Sequence, residues 1–411
     1  MTRRYFDWAA TAVPDALTHP GSAPFGNPSS PHGEGRAARA ALEEARARCA
    51  AALRVKPEEL VFTSGGTESN AAVLFSLLRR PRRPGEPDTA ARDAETKGAE
   101  LLYSAVEHPS VKENCTVLAE LGLRCAAILV DGEGRVSEET LAGALKKHPR
   151  PKMAVIMAVN NETGAVNDLP GLVSFIRGRP AEKTAQGVLR THIHCDLVQA
   201  AGKIPVNPES WGIDSASISA HKIGGPRGAG LLWLRKPLLP LVRGGGQEGG
   251  IRPGTENTAG ALALARALET RADPAALETA REGAARRMEA LIGGLEKTGR
   301  CILIPACRAG GSGTPSGGGL RFSPWILQAA FRGRHGIIPG EVMARFLDER
   351  GFAVSTGSAC SSAEKKRPVL EAMGIDRETA FGGIRVSQGW STAMEDIEAL
   401  TEALAAACGE L

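Results

Sequence analysis

The amino-acid sequence predicts an α/β fold, with a mostly parallel sheet flanked by helices and a smaller α+β domain beside it. Three observations predict it. From about residue 36, short apolar runs alternate with helical patterns as far as residue 260. Those runs are apolar throughout rather than alternating with polar residues, which suits a sheet covered on both faces. After Gly260 the pattern turns to long helices, as in a connector to a second unit. The expected division is a large domain over 14–262, with 1–13 and 263–411 forming the smaller one.

The elements follow in order. RAARAALEEARARCAAAL is an amphipathic helix of good helix formers. ELVFTSGG is a short strand ending in a glycine turn, and ESNAAVLFSLLRR is a helix again. LLYSAVEHPS, AAILVD, KMAVIMAVNNETG and THIHCDLVQ read as four strand-to-loop units, and SASISAHK and GAGLLWL as two further strands. The stretch from Ala261 to Gly299 is helical with one break at Asp273-Pro274, and MEDIEALTEALAAACGEL closes the chain as a helix. Segments 80–99 and 308–319 are rich in Pro, Gly and polar residues and read as surface insertions. Ligands of such sheets sit beyond the carboxyl ends of the strands. The polar clusters ESN, EHPS, NNETG, CDLVQ and SAHK all fall at those ends.

Composition narrows the classes. With 411 residues, 42% hydrophobic and 23% charged, the chain is an ordinary folded protein rather than a disordered or fibrous one. The net charge of +4 is spread along the chain, so no dedicated surface for a nucleic acid duplex is expected. No apolar run reaches the roughly 20 residues a membrane helix needs, and MTRRYFDWAATAVPDA lacks the apolar core of a secretory signal. The eight cysteines are scattered with no CxxC pair. They read as reduced thiols of a cytoplasmic protein. No metal-ligand set stands out, and whether Cys360 takes a metal or cluster transiently stays open.

Six stretches carry chemistry. Lys222 lies in SISAHKIGGPRGAG, among glycines that permit close approach. A strand-end lysine is ordinarily solvated, but one that forms Schiff bases must be partly desolvated so that its amine is neutral. Asp196, at the preceding strand end, can pair with a protonated pyridine nitrogen. Read locally, Asp196 is a helix N-cap, with Gln199 as its capping-box partner. SGGTESN, at 64–70, opens a helix with free N–H groups and hydroxyls that suit a phosphate, or simply caps that helix. His108, held extended by Pro109, is either structural or stacks on a planar cofactor and moves protons. Cys360 sits among Gly, Ser and Thr, ahead of three basic residues at 365–367, the setting of a nucleophile. Arg385 lies in a short apolar strand and needs an anionic partner, either a substrate carboxylate or an internal salt bridge.

Taken together, YFDWAAT, FGNPSSPHGEGR, ELVFTSGGTESN, EHPSV, NNETG, HCDLVQAAGK, SISAHKIGGPRGAG, GGGQEGGIRPGTEN, STGSACSS and GGIRVSQG resemble, in this order, the cysteine desulfurases of the NifS/IscS type. These belong to the class V aminotransferase family of fold type I pyridoxal-phosphate enzymes, and the resemblance extends over nearly the whole chain. It implies that Lys222 holds pyridoxal 5'-phosphate as a Schiff base. Gly66 and Thr67 match the phosphate-binding turn, completed by Ser219 and His221. Asp196 matches the pyridinium partner, Gln199 the contact to the ring hydroxyl, Asn161 a further cofactor or substrate contact, and His108 the ring-stacking acid/base. Thr255 matches a residue that reaches the phosphate of the neighbouring subunit, which implies a homodimer with shared sites. Arg385 matches the arginine for the substrate carboxylate, Asn27 lies in a segment that lines the same site, and Cys360 matches the persulfide-forming cysteine.

The implied reaction converts L-cysteine to L-alanine and leaves sulfur on Cys360. A sulfur-acceptor or scaffold protein would then take it for iron–sulfur clusters or other thio-cofactors. Three features depart from the family: the stretch between AAT and GNPSS is short, and 308–319 and RGRHGIIPGE are unusual in length. Selenocysteine lyase, or another class V activity such as an aminotransferase, remains the alternative, and an aminotransferase has no need of Cys360. A relay protein without cofactor would not need Lys222, Asp196 and His108 together. A nucleotide-binding protein would need the lysine that SGGTES lacks.

Overall fold

The computed structural model describes residues 3–14, 23–79, 100–179, 182–184, 187–309, 320–357 and 366–411. The predicted insertion 80–99, all but the first two residues of 308–319, and Cys360 lie outside them. The N-terminal segment begins with strand β1, Arg4–Tyr5, and runs on as Phe6–Thr11 toward the middle of the molecule. Helix α1, Gly33–Leu53, follows. His32 caps it by accepting from Gly35 N, and Arg54 ends it in the left-handed region at φ 57. Ala38, Leu42, Ala45 and Cys49 make its buried face.

The large sheet comes next. Its strands are β2 (Leu60–Thr63), β3 (Glu100–Ser104), β4 (Arg124–Ile128), β5 (Met153–Val155), β6 (His192–Asp196), β7 (Ser215–Ser219) and β8 (Gly230–Leu234). Their order in space is β2-β8-β7-β6-β5-β3-β4. Helices α2 (Gly66–Phe75), α3 (Pro109–Glu120), α4 (Glu138–Lys147) and α5 (Leu169–Arg177) connect them. All pairings from β7 to β4 are parallel, as predicted. Strand β8 is the exception, antiparallel to both β2 and β7. The segment from Ala220 to Ala229 is too short for a parallel crossover, so the chain doubles back. Gly224 at φ 85 and Gly228 at φ 73 make that return possible.

Helix α6, Thr258–Ala272, lies along α1 and buries Ala261, Leu264 and Leu268 in the core of the large sheet. The predicted break is real: Asp273 leaves the helical region at ψ 126, and its carboxylate caps α7, Pro274–Lys297, through Ala276 N at 2.9 Å. Beyond it lie β9 (Cys301–Ile304), β10 (Ile326–Gly333), β11 (Gly336–Ile337), helix α8 (Gly340–Glu349), β12 (Phe352–Ala353), β13 (Ile384–Ser387) and the closing helix α9 (Met394–Glu410). Strand β10 is the centre of the small sheet and pairs antiparallel with β9, β11 and β13. A second core, with Phe6, Met288, Leu295, Leu327, Phe346 and Leu400, holds α7, α8 and α9 against it. Strand β1 pairs with β12, so the N-terminal segment is tied to the small sheet.

One local expectation fails. Arg308, the first residue of the predicted surface insertion, is buried. Its Nη1 donates to Thr163 O and Ile326 O, and the guanidinium stands 5.1 Å from the centre of the Phe322 ring. Two backbone acceptors and an aromatic face thus draw the side chain inward.

Candidate active site

The carboxyl ends of β6 and β7, the start of α2, the segment after β3 and the residues after β5 converge on one cavity of about 500 Å³. Lys222, Gly66, Thr67, His108, Asn161, Asp196, Gln199, Ser219, His221 and Arg385 all line it. Asn27 and Thr255 do not: both are exposed. The Asn27 side chain accepts from Ser29 N at 2.9 Å. Thr255 lies on a loop latched to the large sheet by a buried ion pair, Glu248 Oε1 with Arg46 Nη2 at 2.7 Å. Arg252 of the same loop reaches Glu68 Oε1 at 3.1 Å.

Lys222 is part-buried, and its Nζ donates to the carbonyls of Ala9 at 2.7 Å and Ala10 at 2.8 Å. Burial, and next the charge of Arg385, lower its pKa to about 8. An amine so placed is neutral far more often than an exposed lysine. Sequence reasoning found the lysine but not the two alanine carbonyls, which come from the opposite end of the chain.

Asp196 is buried, and Oδ1 accepts from Val198 N at 2.9 Å while Oδ2 accepts from Asn70 Nδ2 at 3.0 Å. No helix follows it; residues 198–203 are turns, so the local capping-box reading does not hold. Gln199 instead sends Nε2 to Ala9 O at 2.8 Å and accepts from the buried Lys203 Nζ at 2.7 Å. Burial lowers the Lys203 pKa to about 7, but its ammonium group is turned onto Gln199.

The start of α2 has the character of an anion cup. Its N-cap is Gly65, which has no side chain to cap it, so first-turn N–H groups remain for a ligand. A Cβ on Gly66 would come within 2.6 Å of Val198 Cγ2. Ser219 Oγ stands 3.6 Å from where a Cβ on Gly65 would be. His221, whose Nδ1 is 3.2 Å from Thr11 Oγ1, is held neutral: burial, with Lys222 next, brings its pKa to about 4.

His108 is extended at φ −61 and ψ 150, as Pro109 predicts, and caps α3 with its ring. Burial pushes its pKa down. Arg385 is 2% exposed. Its Nη2 pairs with Asp7 Oδ1 at 2.7 Å and its Nη1 donates to Asn161 O at 3.0 Å, while Nε has no partner among the described residues. The internal salt bridge of the local reading therefore forms. Asp7, the partner, was not singled out by the sequence reading. Cys360 lies outside the described residues. The backbone just before it, at Ser355, is bonded to Arg385 through Arg385 N at 2.6 Å.

Comparison with known proteins shows the family. The family model "Aminotransferase class-V" matches residues 4–400. The chain is 35% identical over 405 residues to a protein named cysteine desulfurase IscS from Dictyoglomus turgidum, covering 96% of this chain and 91% of that one. It is 31% identical to the human protein named selenocysteine lyase, covering 99% and 92%. A solved structure titled NifS-like protein superposes with a TM-score of 0.80 at 30% identity, covering 99% of both chains. Among the described residues, no helix is long and apolar enough to cross a membrane. The chain belongs to the class V aminotransferase family and, within it, to the cysteine desulfurases of the NifS/IscS type.

Proposed function

We infer that this protein is a cysteine desulfurase that uses pyridoxal 5'-phosphate: L-cysteine and an enzyme thiol become L-alanine and an enzyme persulfide. The observation that carries the reading is the cavity itself. A lysine of lowered pKa, an uncapped helix start and a buried carboxylate line the same cavity. The residues present fit the cofactor. The uncapped turn at Gly66 and Thr67, with Ser219 and His221, suits the phosphate. Asp196 suits the ring nitrogen, Gln199 the ring hydroxyl, His108 the ring face, and Lys222 the aldehyde carbon. Bound there, the cofactor supplies an electron sink for negative charge at the substrate Cα.

The chain's own residues do the rest. Lys222 Nζ, released from the Ala9 and Ala10 carbonyls, takes and returns the proton at the substrate Cα. Arg385 binds the substrate carboxylate, with Asn161 beside it. Cys360 is the thiol: a sulfur–sulfur bond forms with the substrate sulfur as the carbon–sulfur bond breaks, and the proton returns to carbon. His108, which lines the same cavity, hydrogen-bonds the reacting groups. The Thr255 loop, exposed and latched at Glu248, supports a homodimer in which Thr255 serves the partner's phosphate. We propose that the larger unit runs on to Asp273-Pro274 rather than ending at 262 as expected from the sequence, because α6 packs in the larger core. We also assign transfer of the sulfur to an acceptor or scaffold protein for iron–sulfur clusters or other thio-cofactors, in the cytoplasm.

Sulfide and alanine release from L-cysteine under reducing conditions tests this reading. The wild type should yield both in equal amounts. Cys360→Ser should keep the visible lysine-linked band of the cofactor and release neither. A Cys360→Ser protein that desulfurates cysteine normally would contradict it. The likeness to a selenocysteine lyase makes selenocysteine the second substrate to compare, and turnover of selenocysteine alone would favour that alternative.

A further inference from the structure

Asn70, on the second turn of α2, is 0% exposed, and its amide joins three groups. Nδ2 donates to Asp196 Oδ2 at 3.0 Å and to Ser110 Oγ at 2.8 Å, and Oδ1 accepts from His194 Nε2 at 2.9 Å. A carboxylate has no proton to give, so the amide must turn its nitrogen toward Asp196. That leaves Oδ1 for His194. Burial holds His194 neutral, with a pKa of about 3, so it has a single N–H. The N–H is on Nε2, and Nδ1 takes the Ser215 hydroxyl proton at 2.8 Å. Ser215 Oγ in turn accepts from His192 Nε2 at 2.7 Å.

The other branch is equally directed. Ser110 Oγ has accepted from Asn70, so its own proton goes to His108 Nδ1 at 2.9 Å. The same Nδ1 accepts from Ser110 N at 3.1 Å. Neutral His108 therefore carries its proton on Nε2.

We propose that Asn70 is a positioning residue whose one amide fixes the carboxylate of Asp196 and directs the Ser110 hydroxyl onto Nδ1 of His108, reinforcing the tautomer that the Ser110 backbone N–H sets, and that His194 locks the amide's orientation. This rests on the reading of Asp196 as the partner of the cofactor's ring nitrogen and of His108 as the residue on its face. The amide holds the two at fixed positions relative to each other. His108 accordingly meets the reacting groups as a hydrogen-bond donor through Nε2.

Three variants of the full-length protein test it. Asn70→Asp keeps the size and the acceptor for His194 but removes both donors. His194→Leu removes the lock and leaves Asn70 in place, and His194→Gln restores an N–H where Nε2 was. A hydrogen bond to a charged group is worth more than the energy of a tenfold change. Asn70→Asp and His194→Leu should therefore weaken pyridoxal-phosphate affinity about tenfold or more. Both should also displace the pH midpoint of the lysine-linked absorbance band. His194→Gln should return both readouts to within about twofold of wild type. If Asn70→Asp does not fold, the His194 pair decides. In cofactor-free protein labelled with 15N-histidine, the His108 ring, identified by its loss in His108→Gln, should show a bare Nδ1 and a protonated Nε2 at pH 7. Unchanged affinity and midpoint in folded His194→Leu, or a proton on Nδ1 of His108, would overturn the proposal. The wild type is the control. If it binds no pyridoxal phosphate, the reading of the cavity fails instead.

Discussion

Lys222 is the residue proposed to hold the cofactor, and its surroundings set a pH dependence. Burial and the charge of Arg385 bring its pKa to about 8. Only the neutral amine condenses with an aldehyde. The rate at which added pyridoxal phosphate forms its lysine-linked band on cofactor-free protein should therefore climb as pH rises through about 8 and level off above it. An ordinary lysine would place that rise near about 10.4. Arg385 makes a second prediction. Its two Nη atoms bond Asp7 and Asn161, and its Nε is buried without a partner among the described residues. A lysine cannot reproduce that planar fork. Arg385→Lys should raise the KM for cysteine roughly tenfold or more, with kcat changed less, in steady-state assays. Lys222, Asp196 and Arg385 could be read from the sequence because each is an ionisable residue where a strand should bury or end. Asp7 could not, since its meaning lies in a contact with β13 at the other end of the chain.

At the scale of elements, the start of α2 is held by its neighbours. Gly230, the first residue of β8, lies so close to Gly65 that a Cβ there would overlap the backbone of the turn. No flexible side chain can yield at that point. Gly230→Ala should cost about 1–3 kcal/mol in denaturant melts and weaken cofactor binding, because the turn that suits the phosphate must move. Unchanged melting and affinity would show that the turn is not so constrained. The glycines after Lys222 were visible in the sequence, but the direction of β8 was not. Apolar runs look alike in parallel and antiparallel strands, and only the shortness of the return dictates the reversal. The break at Asp273-Pro274 was legible, since a capping residue and a proline together stop one helix and start the next.

Across the whole molecule, the N-terminal segment binds the two sheets and the site together. Its Phe6 sits in the core of the small sheet, Asp7 holds Arg385, and the Ala9 and Ala10 carbonyls hold Lys222. The motif YFDWAAT could be recognised in the sequence, but its physical work depends on partners more than two hundred residues away. The loop bearing Thr255 is the other long-range device. The Glu248 side chain is 1% exposed and paired with Arg46. Removing one partner of such a pair typically costs about 3–5 kcal/mol. Glu248→Ala should destabilise the fold on that scale and, by freeing the loop, weaken cofactor binding. Thr255→Ala should weaken cofactor binding without the loss of stability. Equal melting of Glu248→Ala and wild type would contradict the latch.

The central claim is that Lys222, and not the buried Lys203 beside it, carries the cofactor. Lys203 has the lower pKa, yet its ammonium is turned onto Gln199, outside the cavity lining. Borohydride reduction of the yellow holoenzyme, followed by peptide mass mapping, separates the two directly. The account predicts the reduced phosphopyridoxyl group on the peptide that contains Lys222 and none on the peptide that contains Lys203. The group on Lys203, or a visible band that survives in Lys222→Ala, would contradict it.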